Sequence, residues 1–462
     1  MAMQRTISPV DGRVYVERPL ADDKEIAAAL ERARAAAPAW RATPVADRVA
    51  LLERAVDALL ANRPAIAEEI TWQMGRPIGQ SPGELNGLEE RARYMLGVAE
   101  EALADIPVAG KPGFTRLIRR EPLGLVFVVA PWNYPYLTAV NAIVPALAAG
   151  NVVLLKHSAQ TPLCAERFQA AFVAAGLPEG VFQYLHLGHD DALKLVASGA
   201  APLVCFTGSI EGGRAVQAAA GRAWVVTNLE LGGKDPAYVR HDADLVQAVA
   251  NLVDGACFNS GQSCCGIERI YVHERLYDDF VAGYVELASA YRLDDPTKPE
   301  TTLGPMVRPA AADFARAQVA ESVRQGARAL IDPARFPLER PGSAYMAPQC
   351  LVDVTHDMRV MREESFAPIV GIMKVASDDE AVALMNDSDF GLTASIWTSD
   401  EEAALAIGDR VETGTCFMNR CDYLDPALAW VGVKDSGRGC ALSKLAYEHL
   451  TRPKSFHLRQ RF

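Results

Sequence analysis

The sequence predicts an α/β protein built from two blocks of parallel sheet. Short apolar runs such as LGLVFVVA, NVVLL, PLVCF and AWVVTNLEL alternate with helical patterns such as TPLCAERFQAAFVAAG. Strands buried on both faces, with helices between them, read as βαβ units. From about residue 235 the alternation begins again: ADLVQAVANLVDGACF reads as a helix, ERIYVHE as a strand and ERLYDDFVAGYVELASAY as a helix. At 462 residues the chain is also too long for one ordinary core.

The residues ahead of the first block are expected to be mostly helical. Asp22 or Asp23 can cap DKEIAAALERARAAAPAW, and DRVALLERAVDALLANR and ELNGLEERARYMLGVAEEALADI carry apolar residues at helical spacing. Two basic, strand-like pieces, TRLIRREP at 115–122 and KSFHLRQRF at the end, are suited to pair with each other or with another subunit. The most membrane-like run is YLTAVNAIVPALAAGNVVLL, and it is broken by Asn141, Pro145, Gly150 and Asn151. A bilayer span needs about 20 predominantly apolar residues, so this run reads instead as a buried helix, a Gly-Asn turn and a buried strand.

A net charge of -12 argues against a nucleic-acid or anionic-membrane partner. The first residues have no apolar core of the kind a secretory leader carries. Nine cysteines are spread with no CxxC pair and no histidine at zinc spacing, which predicts free thiols in a reducing cytoplasm and no metal site.

The candidate chemistry sits at strand–helix junctions. NSGQSCCG, residues 259–266, puts Cys264 and Cys265 side by side in a Gly/Ser-rich break. A thiol is a useful nucleophile only as thiolate, and two packed cysteines at a turn would look the same. PWNYP follows an apolar strand, so Asn133 can aim an amide N–H at a developing oxyanion or simply cap the next helix. In CFTGSIEGG, Gly208 and Ser209 open a helix, where backbone N–H groups attract phosphate. Gly213 follows at G-xxxx-G spacing, and a plain βα turn fits equally. In NLELGGKDP, Glu230 ends an apolar strand, and apolar neighbours raise a carboxyl pKa towards that of a general base. The alternative is a solvated strand end. In REESFAP, Glu364 suits sugar hydroxyls and Phe366 offers a flat face, unless the stretch is a solvated charge run.

Together PWN, K-x-x-x-x-TP, FTGS, ELGGK, GQ-x-C and EE-x-F-x-P occur in order, followed by FGLTASIWT and KDSGRG. Over nearly its whole length the chain closely resembles the NAD(P)-dependent aldehyde dehydrogenase superfamily. The resemblance implies two Rossmann-like α/β domains, 1–102 with 123–230 for the cofactor and 231–440 for catalysis. It implies a small β oligomerisation element from 103–122 and 449–462, and a homodimer or homotetramer. It makes Cys264 the nucleophile and Glu230 the general base. Asn133 and the Cys264 backbone N–H become the oxyanion hole. Trp132, Lys156, Gly208, Ser209, Gly213, Glu364 and Phe366 would hold NAD or NADP. The implied reaction turns an aldehyde into a carboxylic acid through a hemithioacetal and a thioester on Cys264. A thiol esterase without redox role, a coenzyme A-linked acylating enzyme and a non-catalytic relative are the alternatives. Glu230 favours water as the acyl acceptor.

The departures are informative. Lys156-His157-Ser158-Ala159 stands where the family commonly has KPSE, and losing that carboxylate removes a repulsion against a 2′-phosphate. Tolerance of NADP is therefore expected. Ala367 replaces a glycine, and Cys440-Ala441 replace a common Arg-Glu, leaving deacylation to Glu230. Succinic-semialdehyde dehydrogenases commonly place arginines where this chain has Asn141 and Phe258. A pocket of Tyr134, Asn141, Phe258 and Cys265, with Trp430, predicts an apolar or aromatic aldehyde. A semialdehyde is the alternative.

Overall fold

The computed structural model describes residues 2–460, and Leu125–Ala130 is the strand from which its first sheet grows. That sheet has the order Gly437–Arg438, Val226–Glu230, Leu203–Thr207, Leu125–Ala130, Val152–His157, Phe182–Tyr184. All neighbours run parallel except the first pair, which is antiparallel. The chain leaves Leu125–Ala130 on one side, builds two strands, and returns on the other side at Leu203–Thr207. Loops beyond the carboxyl ends of two such diverging strands enclose a crevice where ligands bind. PWNYP and TGS are those loops.

The membrane-like run folds as its interruptions predict. Helix Pro135–Ala148 ends at Gly150, whose φ of 92° favours glycine, and strand Val152–His157 follows. The buried Asn151 amide accepts from the N–H groups of Leu123 and Gly124 and donates to the Leu450 carbonyl. Among the described residues no helix is long and apolar enough to cross a membrane.

The first hundred residues hold the expected helices, including Asp23–Ala42 with Asp22 in a capping box and Gly83–Leu103. They also hold an unexpected hairpin, Met3–Ile7 against Val14–Pro19. The buried positions of its first strand are polar, and Val16 is buried in the second. Gln4 meets His186 at 3.1 Å and Thr6 donates to the Ala159 carbonyl at 2.7 Å, so apolar alternation could not reveal that first strand.

The second sheet has the order Arg328–Ala329, Gln349–Val352, Ile369–Val375, Ile267–His273, Asp235–Val239, Thr393–Trp397, Thr415–Met418. It is parallel apart from its first pair. Strand Gly437–Arg438 comes from the second half of the chain yet completes the first sheet, so the two blocks share an element. A third sheet pairs Thr451–Arg459 antiparallel with Phe114–Pro122 and adds Ile106–Pro107. The two basic pieces therefore pair within the chain. Residues 461 and 462 of the expected terminal strand lie outside the described residues.

Candidate active site

The cysteine loop is bent by backbone, not by chance exposure. Helix Leu245–Cys257 ends in a tight turn, Phe258–Gly261, before strand Ile267–His273 begins. Asn259 and Ser260 take left-handed φ values of 52° and 58°, a conformation that costs a non-glycine residue energy and clusters at functional sites. Gly261 and Gly233 are required by close approach. A Cβ on Gly261 would lie 2.3 Å from the Ala367 backbone, and one on Gly233 would lie 2.1 Å from the Cys264 carbonyl oxygen. The ELGGK turn thus runs directly against the loop that carries the thiol.

Cys264 is partly exposed, and its two neighbours are pinned by one carboxylate. Ser263 Oγ donates to Asp422 Oδ1 at 2.9 Å, and Cys265 Sγ donates to the same oxygen at 3.0 Å. A hydrogen bond with the Cys264 thiol, then burial, pushes the Cys265 thiol well above the usual range. Cys265 therefore stays protonated and is no nucleophile. It was expected in the substrate pocket. It lies buried beneath the loop and does not line that cavity.

Asn133 is held from behind. Its Nδ2 donates to the Gln262 carbonyl at 3.2 Å, which leaves a second amide hydrogen. Its own carbonyl accepts from Asn259 Nδ2 at 3.1 Å and from Arg76 Nη2. Arg76 also donates to Asn259 Oδ1 at 3.1 Å and pairs with Glu84. Glu84 Oε1 in turn accepts from the N–H groups of Tyr136 and Leu137, both at 2.9 Å. Both charged residues are buried. The carboxylate caps helix Pro135–Ala148, a favourable use of negative charge at a helix start.

Glu230 closes strand Val226–Glu230 with its carboxyl group turned inward. Thr207 Oγ1 donates to it at 3.1 Å. Burial pushes the Glu230 pKa up to about 7, against the opposing pull of the Thr207 hydrogen bond and the Arg91 charge. That places a proton acceptor near neutrality, where general-base catalysis works best.

Two clefts meet at this point. One, of about 440 Å³, is lined by Trp132, Asn133, Gly208, Ser209, Gly232, Glu364 and Phe366. The other, of about 400 Å³, is lined by Tyr134, Asn141, Glu230 and Phe258. Thr207 and Cys264 line both. The first cleft has the fittings for a dinucleotide. Ser209 caps helix Ile210–Ala220 by accepting from Gly212 N–H, so a helix N-terminus faces the space where a pyrophosphate is stabilised. Trp132 and Phe366 meet edge to face at 5.7 Å. Glu364 accepts from Gly233 N–H at 2.9 Å, and burial, aided by the nearby Glu268 carboxylate, pushes its pKa up to about 8. The buried Lys234–Glu268 pair and Ser365 hold that loop in place. Lys156, the penultimate residue of strand Val152–His157, is buried and without an ion-pair partner among the described residues, and it does not line the cleft. Gly213 is a different case. A Cβ there would lie 2.5 Å from the Leu231 side chain, so this glycine serves helix–strand packing and does not line the cleft.

The second cleft combines apolar and polar walls. Leu137, Phe258, Leu424 and Trp430 form the apolar part. Arg91, Glu90, Asp254 and Asp422 also reach it. Sequence reasoning missed Arg76, Glu84, Arg91 and Asp422. For Glu84 and Arg91 a signal existed: both lie on the buried stripe of helix Gly83–Leu103, among Leu85, Leu88, Ala92 and Met95, where a charge demands a partner. Asp422 had no local signal.

A cysteine between a dinucleotide-type cleft and a second pocket carrying a buried carboxyl group fits a cofactor-linked oxidoreductase. The chain belongs to the aldehyde dehydrogenase family, whose model, described as "Aldehyde dehydrogenase family", matches residues 2–456. It is 36% identical over 442 residues to succinate-semialdehyde dehydrogenase [NADP(+)] 1 of Mycobacterium tuberculosis, covering 95% of this chain and 96% of that one. It superposes with a TM-score of 0.94 on succinic semialdehyde dehydrogenase from Streptococcus pyogenes, solved with NADP+, at 29% identity over 99% of this chain and 100% of that one. PnpE from Pseudomonas sp. WBC-3, solved also with nicotinamide adenine dinucleotide, matches at 28% identity with a TM-score of 0.94, over 99% of this chain and 94% of that one. The expected class, NAD(P)-dependent aldehyde dehydrogenase, and the expected fold both hold.

Two expectations follow from this geometry. Glu230 is a carboxyl group whose folded pKa, about 7, exceeds its ordinary value of 4.5. The stability that goes with its neutral form is fully present below pH 4.5 and is lost as pH rises through 7. Glu230→Gln, which stays neutral, is expected to gain stability over the wild type between pH 5.5 and 8.5, read as urea midpoints. An unchanged gap across that range would contradict the burial argument. Asp422→Ala frees both neighbours of Cys264. Displacing a reacting group by about 1 Å can cost on the order of 100-fold, so kcat should fall by about 10- to 100-fold, with Asp422→Asn retaining part of the rate.

Proposed function

We propose that this chain oxidises an aldehyde to a carboxylic acid with NAD(P), through a thioester on Cys264. The observation that carries the reading is that Cys264 lines both clefts at once. An aldehyde has no readily transferred hydride until a nucleophile adds to it. Cys264 Sγ adds to the carbonyl carbon and makes a hemithioacetal. The free Asn133 amide hydrogen and the Cys264 backbone N–H receive the oxyanion. A nicotinamide bound in the first cleft supplies the hydride acceptor. Loss of hydride leaves a thioester on Cys264. Glu230, ionised above about pH 7, takes a proton from water, and the hydroxide oxygen displaces the thiolate to release the carboxylate.

A thiol esterase would use the same cysteine, but a phosphate-binding helix start beside it would then have no task. Glu230 beside the thioester favours water over a coenzyme A thiol as acceptor. The apolar wall of Leu137, Phe258, Leu424 and Trp430 supports contact with the substrate's carbon chain, as an apolar or aromatic aldehyde requires. The M. tuberculosis relative's name supports a semialdehyde as the second reading. The exposed edge of Thr451–Arg459 supports assembly as a homodimer or homotetramer, and nine free cysteines support a reducing cytoplasm.

The test is NAD(P)H formation with a panel of aldehydes. Cys264→Ala should form none. Glu230→Gln should give a burst close to one NAD(P)H per site and then slow turnover, about 100-fold or more below the wild type. Ester hydrolysis without any aldehyde-dependent NAD(P)H would refute the reading.

NADP is expected to serve as well as NAD or better. Ala159 offers no carboxylate to repel a 2′-phosphate, and Lys156 is a buried cation without a carboxylate partner. Lys156→Ala should lower kcat/KM for NADP about 10-fold more than for NAD, as the loss of a charge-assisted hydrogen bond predicts. Equal losses would show that Lys156 contacts only what the two cofactors share.

A further inference from the structure

Arg91 is a buried guanidinium without an ion pair among the described residues. It belongs to helix Gly83–Leu103 and lines the second cleft. Among the described residues its hydrogen-bond partners are the Leu137 carbonyl at 2.9 Å and Asn141 Oδ1 at 3.4 Å, both through Nη1. Burial works against its charge. A buried charge is costly unless it is paired, so this side chain needs an explanation. Beside it is a second anomaly. Asn141 Nδ2 is buried without any hydrogen-bond partner, although its residue lines the same cavity.

The carboxylates facing Arg91 are committed elsewhere. Glu84 is paired with Arg76 and accepts two backbone N–H groups. Glu230 receives Thr207 and is largely neutral below pH 7. Glu90 accepts from Tyr423 Oη at the mouth, and Asp422 holds Ser263 and Cys265. No ion pair of Arg91 forms among the described residues. The free edge of its guanidinium and the orphan Asn141 amide remain as adjacent donors on one wall of the cavity.

We propose that Arg91 and Asn141 form an anchor for a carboxylate at the far end of the substrate, so that the preferred aldehydes are short oxo acids. The proposal rests on the aldehyde oxidation read above. The forked guanidinium meets a carboxylate through two N–H groups, and the amide supplies a third donor. The hydrocarbon between the two ends lies against Leu137, Phe258 and Trp430. Phe258 and Asn141 stand where succinic-semialdehyde dehydrogenases commonly have arginines, so this cation reaches the pocket from a different helix. An amine-bearing aldehyde, drawn by Glu90, Asp254 and Asp422, is the competing substrate class.

The deciding experiment compares kcat/KM for succinate semialdehyde, butanal and 4-aminobutanal, in the wild type, Arg91→Gln, Arg91→Lys and Asn141→Leu. The wild type should favour succinate semialdehyde over butanal. Arg91→Gln should lower that preference about 10- to 100-fold, mainly through KM for the oxo acid, as loss of a charge-assisted hydrogen bond predicts. Arg91→Lys should keep part of the preference, and Asn141→Leu should lower it less than Arg91→Gln does. If Arg91→Gln does not fold, the lysine and Asn141 variants decide. A wild type that prefers butanal or 4-aminobutanal, or a preference that Arg91→Lys and Asn141→Leu leave unchanged, overturns the anchor. No NAD(P)H from any aldehyde would instead refute the underlying oxidation.

Discussion

Arg76 and Glu84 lie together behind the oxyanion loop, and neither charge could be buried there alone. An isolated buried ion is strongly unfavourable, and losing one partner of such a pair typically costs about 3–5 kcal/mol. The pair persists because each member is also hydrogen-bonded. Glu84 caps helix Pro135–Ala148 through two N–H groups. Arg76 fixes the Asn133 carbonyl and the Asn259 side chain. Asn259 in turn reaches the Gln262 carbonyl, two residues from Cys264. One buried ion pair from the helical N-terminal region therefore fixes both the Asn133 backbone and the turn that carries Cys264. This is a use of buried charge for geometry, and a hydrophobic pair of the same volume could not replace it.

Much of this was legible in the sequence because it is local. The ELGGK and GQSC glycines stand out as glycines, and the structure gives the reason: backbones pass within about a side chain's width at Gly233 and Gly261. The parallel strands were legible from their apolar runs. Gly213 looked like part of a phosphate loop and is a packing glycine against Leu231, because spacing alone cannot tell where a missing Cβ would point. Strand Met3–Ile7 was invisible because its buried residues, Gln4 and Thr6, are polar. Asp422 was illegible for another reason. Its significance comes from what lies opposite it across the chain, and no local pattern carries that information.

Four buried groups with shifted pKa values lie at or beside the clefts. Glu230, Glu364, Lys156 and Arg91 all border the two clefts or the strand ends that frame them. Elsewhere buried charges are satisfied inside the fold: Lys234 pairs with Glu268, and Arg48 and Arg269 donate to backbone carbonyls. Perturbed pKa values gather at functional sites because the chemistry needs them, and the fold tolerates the cost there because the surrounding core is large. The position of the clefts follows from topology. Parallel strands that diverge at Leu125–Ala130 and Leu203–Thr207 leave a crevice, and the thiol enters it from the loop ahead of strand Ile267–His273 in the other sheet.

The same division explains why the substrate pocket and the nucleophile are mechanically linked. Asp422 lies just beyond strand Thr415–Met418, in a loop where Asn419 and Asp422 both take left-handed φ values. Asn419 ties that loop to Thr398 through both ends of its amide, so its position is inherited from the second sheet. Through Asp422 it holds both neighbours of Cys264, while Tyr423 and Leu424 line the pocket. A change in this loop made to widen the pocket therefore also moves the thiol. Specificity on this side of the cavity cannot be tuned independently of catalysis. On the opposite wall Arg91 and Asn141 bond to no atom of the cysteine loop, whereas Glu84 on the helix of Arg91 is tied to that loop through Arg76. Divergence of substrate preference with preserved chemistry is therefore easiest at Arg91 and Asn141 themselves, and not at Glu84 on the same helix.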